Sequence, residues 1–309
     1  MDKEKYFAEC LKEYKECVLD VVNSKKNRIW KDIESKTVDL MSSAFFLSIY
    51  DIIDAFYEET EKENWQEINN FLYQEMIWRL IPGCFGGYDH CKYLPWALES
   101  YACGAEHIME RIYPYELGLT NNGYPYYVIG SNLLIAMYYN DKEMMERAIE
   151  DATKFVNKKS PKWEKTVIQF LLDILQKDVE SANKNLMDVC KGYGRLQNIL
   201  YEIRAVCIPA YGLYFIAQKY LTEEEFSKIK MPEHKSFEKK YVQWRLENPK
   251  PELKPYIIYP KEMDIVNKIY AMPVAKSMLF EHRWTDREKL RMAIDEEKMQ
   301  QNFIEDLRA

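Results

Sequence analysis

Leu134-Ile135-Ala136-Met137-Tyr138-Tyr139-Asn140-Asp141-Lys142-Glu143 and Leu171-Leu172-Asp173-Ile174-Leu175-Gln176-Lys177-Asp178-Val179-Glu180 are two copies of one pattern, 37 positions apart. The correspondence runs on through Ile149 and Ala152, which answer to Leu186 and Val189. A period of about 20–50 residues marks stacked supersecondary units, none of which can bury its apolar face alone. Each copy places an aspartate between two apolar runs, where it can cap the second of two helices. The hairpin repeats therefore fall near residues 127–192. Helices are expected at Tyr127–Tyr139, Asp141–Asn157, Pro161–Lys177 and Asp178–Lys191, with Ser160-Pro161 opening the third. Two copies fall short of a free-standing solenoid, so flanking helices must cap the stack.

Working outward, composition agrees with helices. The chain of 309 residues holds 10 glycines and 12 prolines, too few for the many turns of a strand-rich domain. Hydrophobic residues make up 47%, which argues against disorder. Apolar spacing predicts helices over residues 3–22, 30–61 and 65–81, and another from Pro95 to Ile112. A long helix from Arg195 to Tyr220 should kink at Pro209. Thr222-Glu223-Glu224-Glu225 is a capping box before a short helix, and Ser236–Glu247 makes another. Residues 248–260 hold four prolines and read as extended chain packed on the body, with room for a lone edge strand. Pro260–Phe280 reads as helix interrupted at Pro273, and Thr285-Asp286-Arg287-Glu288 as the cap of a terminal helix. The expected fold class is all-α, with antiparallel helical hairpins stacked as an irregular helical-repeat array. A helical body spans 1–248, and 249–309 is a proline-rich connector with C-terminal helices packed on it.

The balance of 43 basic against 50 acidic residues, net −7, disfavours nucleic acid, whose binders carry a basic field. It suits a basic partner, although it is also ordinary solubility charge. The opening residues enter an amphipathic pattern directly, so no secretory leader is expected, and no stretch reaches the roughly 18–20 apolar residues of a bilayer span. No membrane partner and a cytoplasmic location are expected. The seven cysteines are odd in number and lack a C-x-x-C pair, as free thiols in a reducing compartment would be.

Gly83-Cys84-Phe85-Gly86-Gly87 superficially resembles the glycine-flanked cysteine of papain-like proteases, but the rest of that family's signature is missing. P-loop, H-E-x-x-H and G-x-S-x-G patterns are absent, and no acid pair is singled out for proton transfer. The chain is expected not to be an enzyme and to need no cofactor. The alternative is a zinc-binding enzyme or regulator. Cys84, His90, Cys91, Cys103 and His107 fall within 24 residues, and Cys103 and His107 would share one face of the Pro95–Ile112 helix. Against it, Cys84 and Cys91 are set wider than the usual zinc-ligand pair. The plain reading is buried thiols and a solvated or packed histidine.

Aromatic residues crowd two loops, 82–94 and 113–127. Tyrosine offers contact area at low entropic cost and a polar tip, which suits interfaces. Rings filling gaps between helices are the other reading, in a chain with 24 tyrosines. The candidate partner-binding residues are Tyr88, Asp89, Tyr93, Trp96, Glu99, Glu106, Tyr115, Glu116, Tyr124 and Tyr126.

Over about residues 94–210, the repeated hairpins of apolar run, Asp-x-Glu and apolar run resemble the helical immunity proteins of bacterial polymorphic toxin systems. The resemblance implies a non-enzymatic protein that neutralises a cognate toxin by binding it, with a basic toxin domain as partner. It carries over no functional residue. A tetratricopeptide-like interaction scaffold is the remaining alternative. Its period is about 34 residues, and its Trp/Gly/Tyr signature is not found here.

Overall fold

The computed structural model describes residues 52–80, 90–197, 206–258, 264–283 and 291–308. The helices expected at 3–22 and over 30–51 lie outside these residues, as do Tyr88, Asp89 and Cys84. The described chain is mostly helical with one two-stranded sheet, so the all-α class with packed helices holds. No helix among the described residues is long and apolar enough to cross a membrane.

The repeat is two neighbouring hairpins. Helices α5 (Pro125–Tyr139) and α6 (Lys142–Asn157) form the first, and α7 (Lys162–Gln176) and α8 (Val179–Tyr193) the second. The first helices of the two pairs lie side by side, with α6 also against α7. Leu134, Ile135, Met137 and Ala152 are buried, and so are their counterparts Leu171, Leu172, Ile174 and Val189. Enclosing each large aliphatic side chain contributes about 1.5–3 kcal/mol, more than any helix propensity, so this stripe dictates the stacking.

The turns repeat as closely as the stripes do. Asn140 and Lys177 both adopt the left-handed conformation, with φ of 50° and 60°. The next residue in each copy caps the following helix. Asp141 accepts a bond from the Met144 amide at 2.9 Å, and Asp178 from the Ser181 amide at 3.0 Å. The third helix departs from expectation: Pro161 occupies its cap position and Ser160 makes no capping bond.

Two alanines buried in the first hairpin give way to polar residues in the second. Ala136 and Ala148 of the first hairpin correspond to Asp173 and Asn185 of the second. Asp173, 2% exposed, accepts from Asn185 Nδ2 at 2.7 Å and from Gln169 Nε2 at 2.8 Å. Burial pushes its carboxyl above the usual range, and these bonds only partly offset that.

Two units emerge from the contacts. One contains residues 88–249 and 276–295, and the other 1–87, 250–275 and 296–309. One boundary between them falls between residues 249 and 250, and the C-terminal segment is shared between both units. In the larger unit, α3 (Leu94–Cys103) and α9 (Ile208–Tyr220) form the centre. Every side chain from Ala210 to Ala217 is buried. Gly212 lets the two backbones meet, because a Cβ there would overlap the Leu98 carbonyl. Pro209 sits in the first turn of α9 and does not kink a longer helix; its missing N–H is harmless at that place. Helix α10 (Glu223–Phe226) carries the expected capping box on Thr222 and Glu225. Helix α11 (Lys239–Glu247) binds α3 through Tyr241, whose hydroxyl donates to the Ala102 carbonyl at 2.9 Å.

Strands β1 (Leu279–His282) and β2 (Arg291–Ile294) pair antiparallel, Leu279 opposite Ile294. Both replace predicted helix. Pro273 stops α12 (Asp264–Ala271), and the apolar runs beyond it satisfy their backbone by pairing with each other. The capping-box match at residues 285–288 lies outside the described residues; the terminal helix, α13 (Glu296–Arg308), follows β2.

In the smaller unit, α1 (Ile52–Glu61) and α2 (Trp65–Leu80) carry the extended 250–258 segment. Gln74, fully buried on α2, accepts from the Ile257 amide at 2.7 Å and donates to its carbonyl at 3.3 Å. Tyr256 packs edge-on against Phe71 and donates to Glu59 at 3.1 Å. The segment is docked as expected, with no strand in it.

Asp141→Ala and Asp178→Ala are each expected to lower the thermal unfolding midpoint by about 2–4 °C, measured by circular dichroism. Gly212→Ala should be far worse and leave little folded protein. Asp173 makes a pH prediction. Its folded pKa is raised, so its contribution is full below the unfolded value and is lost as pH rises through the folded value. Denaturation of the wild type and of Asp173→Asn should therefore diverge across that window, with the wild type losing ground as pH increases.

Candidate partner-binding surface

The aromatic loop from Tyr113 to Tyr124 runs back along α5, which holds it in the middle and near its start. In the middle, Asn132 accepts from the Thr120 amide at 2.9 Å and donates to the Thr120 carbonyl at 2.7 Å. Both residues are buried, so neither water nor another side chain replaces that pair easily. Near the start of the loop, Tyr139 donates to the Tyr113 carbonyl at 2.6 Å, and Tyr113 shares a bond with Ser131 at 2.9 Å. Near its end, Gly123 has φ of 124° and lies so close to Cys91 that a Cβ would overlap the sulfur.

Of the 82–94 loop, only residues 90–94 are described, and they are tied to this one. His90 Nε2 meets the Gly118 carbonyl at 3.1 Å, and the Cys91 thiol donates to the Asn122 carbonyl at 3.4 Å. His90 and Cys91 are thus occupied in joining the two segments. The Pro95–Ile112 helix that would have aligned Cys103 with His107 does not exist as one piece. It ends at Cys103, because Gly104 turns left-handed, and resumes as a 3-10 turn (Glu106–Ile108) and α4 (Met109–Ile112). Cys103 is sealed in the core, where burial pushes its thiol up to about 12, while His107 is exposed. Among the described residues no three metal-ligating side chains come together. The zinc arrangement drawn from sequence therefore loses its helical half.

The ten candidate residues separate. Tyr93 is 1% exposed and wedged between Tyr113 and Trp96, so it cannot meet a partner. Tyr126 is also buried, against Tyr127 and Trp163. These two belong to the gap-filling reading. Trp96, Glu99 and Glu106 are half-buried. Tyr115 and Tyr124, each 50% exposed, and Glu116 remain as surface groups.

Both exposed tyrosines are fixed by carboxylates. Tyr115 donates to Asp141 at 2.9 Å and packs edge-on against Tyr139. Tyr124 donates to Glu164 at 3.0 Å and stands at right angles, nearly, to the exposed Tyr127. The bond to Asp141 raises the Tyr115 phenol, and burial with nearby Tyr138 and Glu110 pushes Tyr139 up to about 12. Asp141 itself is held low, first by the Met144 amide and then by Tyr115. Tyr124 starts α5 and Tyr139 ends it, so the two tyrosine–carboxylate groups lie about 20 Å apart along the helix.

Charge follows the same segment. From residue 93 to 141 the acids are Glu99, Glu106, Glu110, Glu116 and Asp141, against Arg111 alone among the lysines and arginines. Glu164 and Tyr127 complete the surface and were not singled out by sequence. Glu164 is 40 residues from Tyr124 and no local pattern connects them.

Compared with models of known protein families, with curated proteins and with solved structures, the chain gives no match.

Asn132→Ala should leave the Thr120 amide and carbonyl unsatisfied at a cost of about 1–3 kcal/mol. Hydrogen exchange at residues 115–124 is expected to accelerate while α7 and α8 stay protected. Unchanged exchange there would show that the amide clamp does not hold the loop.

Proposed function

We propose that this protein is a non-enzymatic binding protein, an immunity protein that neutralises a cognate bacterial toxin in the cytoplasm by direct contact. The observation that carries the reading is the pair of exposed, carboxylate-fixed tyrosines on a loop clamped to α5. Aromatic anchors already held in place lose little entropy on binding, and acidic neighbours steer a basic partner toward them. The acid-rich run of residues 93–141 supports a basic toxin domain as that partner. The likeness of the hairpins to helical immunity proteins points the same way.

The geometry favours occlusion over catalysis as the use of this surface. The groups placed for chemistry by the sequence, Cys103 and His107, are separated, and the exposed tyrosines have phenols raised by their carboxylates. Raised phenols are poor proton donors and poor nucleophiles at neutral pH.

Co-expression with the product of the neighbouring gene is expected to rescue growth from that product's toxicity, and the two should co-purify. Tyr115→Ala and Tyr124→Ala should each weaken the complex by about 10–100-fold without loss of folding, as truncated aromatic anchors do. Raised salt should slow association. Absence of both rescue and co-purification defeats the reading.

A further inference from the structure

Tyr124, Tyr127 and Glu164 make an open corner on the surface. The two rings lie 5.8 Å apart between centroids, with planes at 68°. Tyr124 is 50% exposed and Tyr127 36%. Behind them the aromatic contacts continue inward, from Tyr127 to Tyr126 at 5.4 Å, to Trp163 at 5.8 Å and to Tyr193 at 5.8 Å. Trp163 is anchored by its indole N–H, which donates to the Val189 carbonyl at 3.1 Å. Glu164 is the next residue along the chain, so the carboxylate hangs from a fixed backbone.

Among the described residues, no cation meets Glu164, although a half-buried carboxylate normally has one. The Tyr124 hydroxyl reaches both its oxygens, at 3.0 and 3.2 Å, and among the described residues no ion pair accompanies it. Lys162 and Lys165 share its helical turn, yet neither pairs with it, and Lys165 Nζ bonds the Lys158 carbonyl instead. Burial consequently pushes the Glu164 carboxyl upward, the state that an arriving positive charge would relieve.

We propose that Tyr124, Tyr127 and Glu164 together form a receptor for one arginine side chain of the protein partner. A guanidinium can donate two bonds to the carboxylate while its flat face lies on a tyrosine ring, a combination that an ammonium matches poorly. This assignment rests on the reading of the loop as a surface for a basic partner, and it names the group that the surface recognises.

The test uses the full chain with labelled tyrosine rings, titrated by NMR with acetyl-Gly-Arg-Gly-amide and with the lysine and glutamine analogues. The arginine peptide should bind in the millimolar range, as expected of a single side chain. It should shift Tyr124 and Tyr127, with the lysine peptide several-fold weaker and the glutamine peptide silent. Glu164→Gln should weaken arginine binding at least about tenfold and Tyr127→Ala about three- to tenfold, with unchanged unfolding midpoints. Equal shifts from the arginine and glutamine peptides, equal affinity for lysine, or indifference to Glu164→Gln would each overturn the assignment. The outcome separates from the broader reading. A cognate toxin bound equally well by wild type and Glu164→Gln defeats the receptor and leaves the immunity function standing. Selective arginine binding with no partner from the neighbouring gene does the reverse.

Discussion

Asn132 lies in the middle of α5, almost sealed from solvent, and uses both ends of its amide on the backbone of Thr120. A loop has no ladder of its own, so its buried N–H and C=O groups need partners from elsewhere. The amide supplies both at once and sets where the loop crosses the helix. Everything on either side follows from that crossing. Tyr115 reaches Asp141 and Tyr139 at one end of α5, and Tyr124 reaches Glu164 at the other. The helix is in turn fixed by the hairpin stack, whose buried leucine and isoleucine stripe places α5 beside α7. The exposed tyrosines and the core packing are joined through one polar side chain.

The hairpins were legible in the sequence because three independent signals coincide there: the apolar stripe, the aspartate caps and the spacing between copies. Both caps form the bonds their positions predict. Elsewhere one signal stood alone and was overruled. The 95–112 segment has a helical apolar pattern, but Gly104 ends the helix with a left-handed turn that favours glycine. Pro209 is a breaker within a long helical pattern and an initiator at a helix start, and only the chain before it decides which. The 279–294 hairpin is two short apolar runs that find each other at a distance, a pairing that local periodicity does not encode.

For the candidate surface, the sequence leaves open which rings face outward. Aromatic crowding points to the loop, but crowding alone does not separate a ring at the surface from one between helices. Tyr93 and Tyr126 fill the interior, whereas Tyr115 and Tyr124 face outward. Tyr126 and Tyr127 are sequence neighbours with opposite fates, since a helix sends adjacent side chains to different faces. The carboxylates that fix the outward rings come from the next helix or the next hairpin. Such partners become visible only once the stack has brought them together.

The exchange of Ala136 and Ala148 for Asp173 and Asn185 bears on how the chain finds its own arrangement. Tandem near-copies carry a hazard: a helix from one can dock on the wrong mate, within a molecule or between two, because the oily faces are almost interchangeable. An ionisable group answered only inside its own hairpin removes that freedom. Docked against the alanine-bearing mate, Asp173 would meet a methyl group and forfeit the bond from Asn185, keeping only the one from Gln169 of its own helix. The copies are thereby labelled as first and second, and the polar pair acts as a key that admits one order of assembly.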